Sequence, residues 1–209
     1  AKSYTLLQNY DKAMECYQLL LTKNPEHLTS QLAIANIHIR HGRLQEAHEL
    51  LKRLSESNPD TWQVWNGLGI IEDLKANYPE ATIFYSKALT INPANADTLN
   101  NLGYSQIMSH SFDEAIDNLQ KGLQYQPTSE RMKNNLAIAY AWKGNDKKAI
   151  DILSPLIGLE EAHNNIGYIA MLRKDYKAAE KHFQTAIDLS PNFYRKAFVN
   201  LEKLKAMRS

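Results

Sequence analysis

An alanine recurs every 34 residues through most of the chain, always in the same phase. The five positions are Ala13, Ala47, Ala81, Ala115 and Ala149. A proline recurs at the same period, as Pro25, Pro59, Pro93 and Pro127. Self-similarity at a period of this size is typical of a repeat protein, in which each unit buries its apolar face against the next unit. A generic helical bundle would have no reason to keep such a phase.

The unit at residues 62–95 shows the pattern most completely. Its marker residues are Trp65, Leu68, Gly69, Ala81, Tyr85, Ala88 and Pro93. Two antiparallel helices approach closely only where a side chain is missing, so Gly69 and Ala81 are predicted to lie where the two helices of the unit cross. This order and spacing resembles the tetratricopeptide repeat (TPR), a unit of two helices, helix A and helix B, closed by a proline.

The resemblance implies an all-α fold: a TPR solenoid of about six antiparallel helix pairs in a right-handed superhelix, with a C-terminal capping helix. We predict a single solenoid domain over residues 1–209, because each repeat of a solenoid contacts only its neighbours. The predicted repeats are 1–27 (partial), 28–61, 62–95, 96–129, 130–159 and 160–193, followed by a cap helix at 194–207.

The first repeat is incomplete, because Ala1 already falls at the small position of its helix A. We therefore expect residues 1–7 to be the remaining half of that helix. A solenoid rarely starts with an open apolar face, so we expect the chain to be a fragment or to have lost its natural N-terminus. The open first repeat would also offer a surface for homo-oligomerisation.

The fifth repeat breaks the period, since Gly167 follows Ala137 by 30 residues instead of 34. Pro155 falls within its helix B, and a proline inside a helix costs about 3 kcal/mol. We predict that this helix ends near Leu153 and that the superhelical twist changes between the fifth and sixth repeats.

A cap helix is predicted after the last repeat, where the small-residue signature is absent. Its apolar stripe consists of Ala197, Phe198, Leu201 and Leu204. We expect this stripe to cover the last helix B around Phe183 and Ile187, because terminal repeats of a solenoid need a polar outer face.

Composition excludes several classes of function. The net charge is +1 and the pI is near 8.0, so the chain has no electrostatic footprint for nucleic acid. No stretch approaches 18 consecutive apolar residues, so we predict no transmembrane segment. The seven histidines lack the carboxylates or cysteine that would complete a metal site, and we expect them to be solvated. We predict no catalytic site, no cofactor and no metal.

Asparagines recur on helix A just before its small residue, at places that face the concave groove of a TPR superhelix. They are Asn66, the pair Asn100 and Asn101, the pair Asn134 and Asn135, and the pair Asn164 and Asn165. Their neighbours on the same face are Ile70, Tyr104, Ile138 and Tyr168, with Arg131 as the one basic residue. We predict that these residues bind an extended peptide or a partner protein in the groove.

Two interpretations of the asparagines stay open. An Asn side chain offers both a donor and an acceptor, so it can pair with a peptide backbone in both directions. Alternatively, the asparagines bond to the neighbouring helix and hold the repeats in register. Asn is a mediocre helix former, so its recurrence within helices needs one of these reasons. One Asn of each pair could serve each role.

Two stretches carry a closer resemblance. Residues 131–146, with Asn-Leu-Ala-Ile-Ala-Tyr and a Lys-Gly-Asn-Asp turn, and residues 161–168 resemble the TPR lipoproteins of the tight-adherence (Flp/Tad) pilus system. The resemblance covers roughly residues 96–190. It implies a periplasmic, outer-membrane-anchored protein that assists assembly of the pilus secretion channel; the alternative is a cytoplasmic protein. The lipidated cysteine of that family has no counterpart here, because Cys16 lies inside a predicted helix.

Two other functions compete with the interaction scaffold. One is a TPR arm of a larger enzyme, such as a sugar transferase with a similar row of asparagines. The other is a co-chaperone that grips acidic C-terminal tails. The tail clamp uses lysine, asparagine and arginine on the concave face, where this chain has mostly Asn, Gly, Ile and Tyr. The length of the natural chain would separate the first alternative from a scaffold, and genomic neighbours would test the pilus hypothesis.

Overall fold

The computed structural model describes residues 9–190 and 194–207. Over these residues all regular secondary structure is α-helical, which confirms the predicted fold class. The helices are α1 (Tyr10–Lys23), α2 (Leu28–Arg40), α3 (Leu44–Ser57), α4 (Trp62–Leu74), α5 (Tyr78–Ile91), α6 (Ala96–Met108), α7 (Phe112–Tyr125), α8 (Glu130–Trp142), α9 (Asp146–Ile157), α10 (Leu159–Leu172), α11 (Tyr176–Leu189) and α12 (Arg195–Ala206). Each described helix is too short or too polar to span a bilayer.

The helices alternate as helix A and helix B of successive repeats. Three residues connect helix A to helix B in every repeat from the second to the sixth, and such short connections place the two helices antiparallel. The middle residue of each connection has a positive φ: Gly42, Ala76, His110, Gly144 and Lys174. The left-handed backbone conformation therefore recurs once in each of these repeats. At three of the five positions a non-glycine residue adopts it. The predicted half-helix at residues 1–7 lies outside the described residues.

The chain divides into two compact units, Ala1–Asn101 and Leu102–Ser209, which we call the first unit and the second unit. The first unit contains α1 to α5 and the start of α6. The second unit contains the rest of α6 and continues to α12. The organisation of the whole chain as one solenoid domain stays a prediction.

The core of the first unit forms where the sequence predicts helix crossings. Ala47 of α3 is fully buried and packs with Ala35 of α2. In the third repeat, the missing side chain of Gly69 admits the ring of Tyr85; a Cβ at Gly69 would lie 2.5 Å from Tyr85 Cε1. The Tyr85 hydroxyl donates a hydrogen bond to Asp73 at 2.7 Å. The ring is therefore fixed by this bond as well as by its packing against Gly69.

We expect Gly69→Ala to destabilise the first unit, although alanine is the better helix former. The added methyl would overlap the fixed Tyr85 ring, and overpacking of this kind costs about 1–3 kcal/mol. Gly67→Ala in the same helix is the matched control. Its Cβ would meet the mobile end of the Leu51 side chain, so the gain in helix propensity should balance or exceed the strain. Thermal unfolding of both variants checks this, and equal melting temperatures would contradict it.

The prediction that α9 ends near Leu153 is wrong, because the helix continues through Pro155 to Ile157. Pro155 lacks an N–H, so the helix loses the hydrogen bond that this position would donate to the carbonyl of Asp151. The amide of Gly158 donates to the carbonyl of Ser154 at 3.0 Å and closes the helix. Gly158 has a φ of +89°, a conformation that glycine adopts without strain.

The four residues missing from the fifth repeat are lost mainly from the connection to the sixth repeat. Gly158 alone separates α9 from α10, whereas four residues separate the earlier helices B from the helix A that follows. The helix α9 has 12 residues instead of the 14 of the earlier helices B, and α10 gains one residue. The sixth repeat consequently begins at Leu159. The predicted change in superhelical twist at this point stays a prediction.

The C-terminal helix α12 caps the last repeat, as predicted, but not through Phe198. Leu201 and Leu204 pack in one cluster with Phe183, and Ile187 packs against that cluster. Phe198 is 42% exposed, whereas its neighbour Ala197 is fully buried. Residues 197, 201 and 204 are spaced so that they lie on one face of α12. Residue 198 follows residue 197 around the helix and lies to the side of that face.

Candidate functional site

The structure places the predicted asparagines in very different surroundings. Asn100, Asn135 and Asn164 are buried; Asn66, Asn101 and Asn165 are half-buried; Asn134 is exposed. Side chains that are enclosed by protein have less freedom to reach a partner. The recurrence in sequence therefore does not correspond to one repeated role.

In the first unit, Asn66 links neighbouring helices A. Its Oδ1 accepts a hydrogen bond from the Thr98 hydroxyl at 3.0 Å and another from Asn101 Nδ2 at 3.3 Å. Asn66 lies on α4, and its two donors lie at the start of α6. This is the arrangement expected for an asparagine that holds repeats in register. The predicted neighbour Ile70 is half-buried on the same helix.

In the second unit, Asn164 links α10 to the cap helix. Its Oδ1 accepts from Asn200 Nδ2 at 3.0 Å, and its own Nδ2 donates to Asn165 Oδ1 at 3.3 Å. Asn164 is buried, so these bonds satisfy an amide that would otherwise be costly to enclose. The first Asn of this pair therefore has a structural role.

A cavity of about 350 Å³ opens beside this linkage, and we call it the amide cavity. It is lined by Asn134, Ile138, Leu153, Asn164, Asn165, Tyr168, Ile169 and Asn200. Five of these residues were predicted as site residues from the sequence. The walls combine amide groups with apolar and aromatic surface, and Tyr168 is 44% exposed there. Such a surface can bind both backbone and side chains of a peptide.

Other predicted site residues of the second unit are outside this cavity. Tyr104 on α6 and Arg131 on α8 are exposed but do not line it, and Asn135 is buried. Asn100 and Asn101 belong to the first unit. Binding by these residues stays a prediction, and the amide cavity is the place where the predicted residues come together.

Asn200 was missed by the sequence analysis, which considered α12 only as a cap. The available signal was weak. Asn200 follows Asn164 by 36 residues, close to the repeat period, but α12 lacks the small residue that identifies a helix A. Only the packing of α12 against α10 brings Asn200 to the cavity.

A second polar cluster in the same unit corrects the expectation that all histidines are solvated. His163 Nδ1 and His182 Nδ1 are 3.0 Å apart, and His182 is buried. His182 Nε2 lies 3.2 Å from Asp146 Oδ2. Burial opposes ionisation of Asp146, but the hydrogen bonds and charges of Arg173 and His182 together outweigh it and hold the pKa of this carboxyl below its ordinary value.

The histidine pair should make stability depend on pH. Burial lowers the pKa of His163, and the nearby charges of His182 and Lys181 lower it further. In the unfolded chain His163 binds a proton at the ordinary histidine pKa, near 6.5. In the folded chain it binds the proton only at lower pH, so protonation favours the unfolded state. We expect the melting temperature to be steady between pH 8 and 7 and to fall as the pH drops below about 6.5.

The variant His163→Gln removes this titration and is the comparison for the pH experiment. Its melting temperature should fall less between pH 7 and 5 than that of the wild type. The other histidines, including His182, are the same in both proteins, so the difference isolates His163. Parallel pH profiles for the two proteins would contradict the assignment.

Comparisons with known proteins identify the class. The sequence model of the tetratricopeptide repeat protein 21 C-terminal ARM domain matches residues 5–139, more than half of the chain. The tetratricopeptide repeat model matches residues 160–193, the predicted sixth repeat. The chain belongs to the tetratricopeptide repeat family. The shortened connection at Gly158 lies between the two matched segments. No curated protein matches this chain in sequence.

Solved structures share the fold at low identity. YrrB, described as a TPR protein with an unusual peptide-binding site, aligns with a TM-score of 0.71 and 19% identity over 90% of this chain and 99% of its own. A tetratricopeptide repeat protein from Parabacteroides merdae aligns with a TM-score of 0.64 and 16% identity over 98% and 95%. PilF of Pseudomonas aeruginosa gives 0.60 and 17% over 96% and 87%. At these identities the likeness shows the fold alone.

Proposed function

We propose that this chain is a non-catalytic interaction protein and that its second unit binds an extended peptide in the amide cavity. The observation that supports this is the lining of the cavity. Asn134 and Asn165 offer hydrogen bonds to a peptide backbone, and Ile138 and Tyr168 offer apolar surface for side chains. Backbone hydrogen bonds give affinity for any sequence, and side-chain pockets select among sequences.

The size and position of the cavity fit this function. A volume of about 350 Å³ is at the lower end of the range for ligand pockets, about 300–1,000 Å³, and suits one or two side chains. The cavity is built on the helices α8, α9, α10 and α12, and Asn164 and Asn165 are hydrogen-bonded there, so part of its amide lining is held in place before a partner arrives. Preorganised groups lose less conformational entropy on binding.

One comparison supports the ligand class. YrrB, whose fold aligns along nearly its whole length with this chain, is described as a TPR protein with a peptide-binding site. A peptide ligand is therefore compatible with this arrangement of helices.

The direct test is selection from a phage-displayed library of random dodecapeptides on the wild-type chain. An enriched peptide is then titrated into the double variant Asn134→Ala/Asn165→Ala. Each neutral hydrogen bond contributes about 0.5–1.5 kcal/mol net, so each removed amide should weaken binding by roughly two- to twelvefold. Asn118→Ala on α7 is the control, because Asn118 bonds to Gln106 and Glu114 and does not line the cavity.

The outcome decides whether the amide cavity binds the peptide. A loss of affinity in the double variant with none in the control supports the site. Failure of any peptide to enrich, or equal affinity of an enriched peptide for all three proteins, would overturn the proposal.

We further propose assembly of a pilus or secretion system as the biological setting, with the chain in the periplasm at the outer membrane. The support is the resemblance of residues 131–146 and 161–168 to TPR lipoproteins of the tight-adherence pilus system. The alignment with PilF adds the shared fold and nothing more specific. Genomic neighbours that encode pilus or secretion components would support this setting, and a neighbourhood without them would count against it.

A further inference from the structure

Three asparagines of the second unit form a directed chain of hydrogen bonds. Asn200 Nδ2 on α12 donates to Asn164 Oδ1 at 3.0 Å, and Asn164 Nδ2 donates to Asn165 Oδ1 at 3.3 Å. Asn164 is buried and uses both halves of its amide within the chain. The hydrogen-bond chain therefore has two ends, one at Asn165 and one at Asn200.

The two ends offer opposite hydrogen-bonding groups. An Asn amide has one carbonyl acceptor and one NH₂ donor group. The carbonyl of Asn165 is taken by Asn164, so its NH₂ group remains. The NH₂ group of Asn200 donates to Asn164, so its carbonyl remains. Neither remaining group has a hydrogen-bond partner among the described residues, and both side chains line the amide cavity.

We propose that Asn165 and Asn200 together bind one residue of the peptide and fix its chain direction. This inference rests on the proposed function and deepens it. One residue of an extended chain presents its N–H and C=O on the same side, as in the hydrogen-bonded pairs of antiparallel strands. Asn165 donates to that C=O, and Asn200 accepts from that N–H. Because N–H precedes C=O along a chain, the peptide runs from α12 towards α10 in its N-to-C direction.

The same arrangement gives α12 a second role. Besides covering Phe183, this helix supplies the acceptor that a peptide N–H requires. The hydrogen-bond chain also sets the orientation of both amides, since each end is held through Asn164. Asn200 thus serves the cap through its NH₂ group, which satisfies the buried Asn164, and would serve the peptide through its carbonyl.

The test is a double-mutant cycle with an enriched peptide in which each backbone amide is replaced, one at a time, by an ester. An ester lacks the N–H donor. At the position bound by Asn200, the ester should weaken binding to the wild type by roughly two- to twelvefold. In Asn200→Ala the same ester should cause no further loss, whereas in Asn165→Ala the loss should persist.

Each outcome of the cycle decides a different point. If the ester effect persists in both Asn200→Ala and Asn165→Ala, neither amide accepts from the peptide N–H, and this inference is wrong while the proposed function stands. If the effect disappears in Asn165→Ala and persists in Asn200→Ala, the direction is reversed and the inference is wrong. If no peptide enriches on the wild type, the proposed function itself fails.

A second variant guards against loss of folding. Asn200→Ala leaves the buried Oδ1 of Asn164 without its donor, which could undock α12. Asn200→Lys keeps a donor for Asn164 and offers no acceptor to a peptide N–H. It should abolish the same ester effect as Asn200→Ala. Retention of the effect in a folded Asn200→Lys protein would overturn the assignment of Asn200 as the acceptor.

Discussion

Leu204→Ala in α12 should lower the free energy of unfolding of the second unit by about 2–5 kcal/mol. Leu204 is 1% exposed and packs in one cluster with Phe183, Leu201 and Met171. Shortening it removes transfer free energy and leaves a cavity at the contact that holds the cap helix on the last repeat. Thermal unfolding followed by circular dichroism should show a melting temperature lower by several degrees.

Phe198→Ala is the matched control in the same helix. Phe198 is the larger side chain, but it is exposed, so its truncation should change the melting temperature much less. A larger loss from Phe198→Ala than from Leu204→Ala would mean that Phe198 packs inward, as the sequence predicts, and would contradict its exposed position in the structure.

Arg173→Met should destabilise the second unit by about 3 kcal/mol. The Arg173 guanidinium donates to both carboxylate oxygens of Asp146, at 2.7 and 2.9 Å, and to the carbonyl of Ala141. The two side chains are only 15% and 16% exposed. Removing the cation leaves Asp146 largely enclosed without its main partner, and breaking a pair of this kind costs more than the pair itself contributes.

Arg173→Lys tests whether geometry or charge matters more. Lysine keeps the positive charge but cannot form the two parallel hydrogen bonds of a guanidinium. Its melting temperature should therefore lie between those of the wild type and Arg173→Met. Equal stability of the lysine variant and the wild type would show that charge alone suffices. An Arg173→Met protein as stable as the wild type would contradict the account of this ion pair.

The helix pairs could be predicted from the sequence because their markers are steric and local. A small residue is needed wherever two helices cross, so Ala47 and Gly69 identify crossings without knowledge of the neighbours. Proline and the short connections then set where the helices end. The same logic failed at Pro155, since the chain beyond the proline still bonds back into the helix, through the amide of Gly158 and the carbonyl of Ser154.

The candidate site was only partly predictable, because the role of an amide depends on what packs against it. Asn164 and Asn165 are adjacent in the sequence, yet one is buried and bonded to α12 while the other reaches the amide cavity. Asn200 carried almost no signal. The histidine pair was missed for a similar reason, since His163 and His182 meet only through the packing of α10 on α11.

The central claim is that Asn165 serves binding whereas Asn164 serves structure. The most direct measurement compares Asn164→Ala and Asn165→Asp by thermal unfolding and by calorimetric titration with a peptide enriched on the wild type. Asn165→Asp keeps an acceptor for the buried Asn164 Nδ2 and removes the NH₂ donor that a peptide C=O requires. We predict that it weakens binding by roughly two- to twelvefold and changes the melting temperature little. Asn164→Ala should lower the melting temperature, because it empties part of a buried position and removes the hydrogen bond that links α10 to the cap helix. A loss of stability with unchanged affinity in Asn165→Asp would contradict the account.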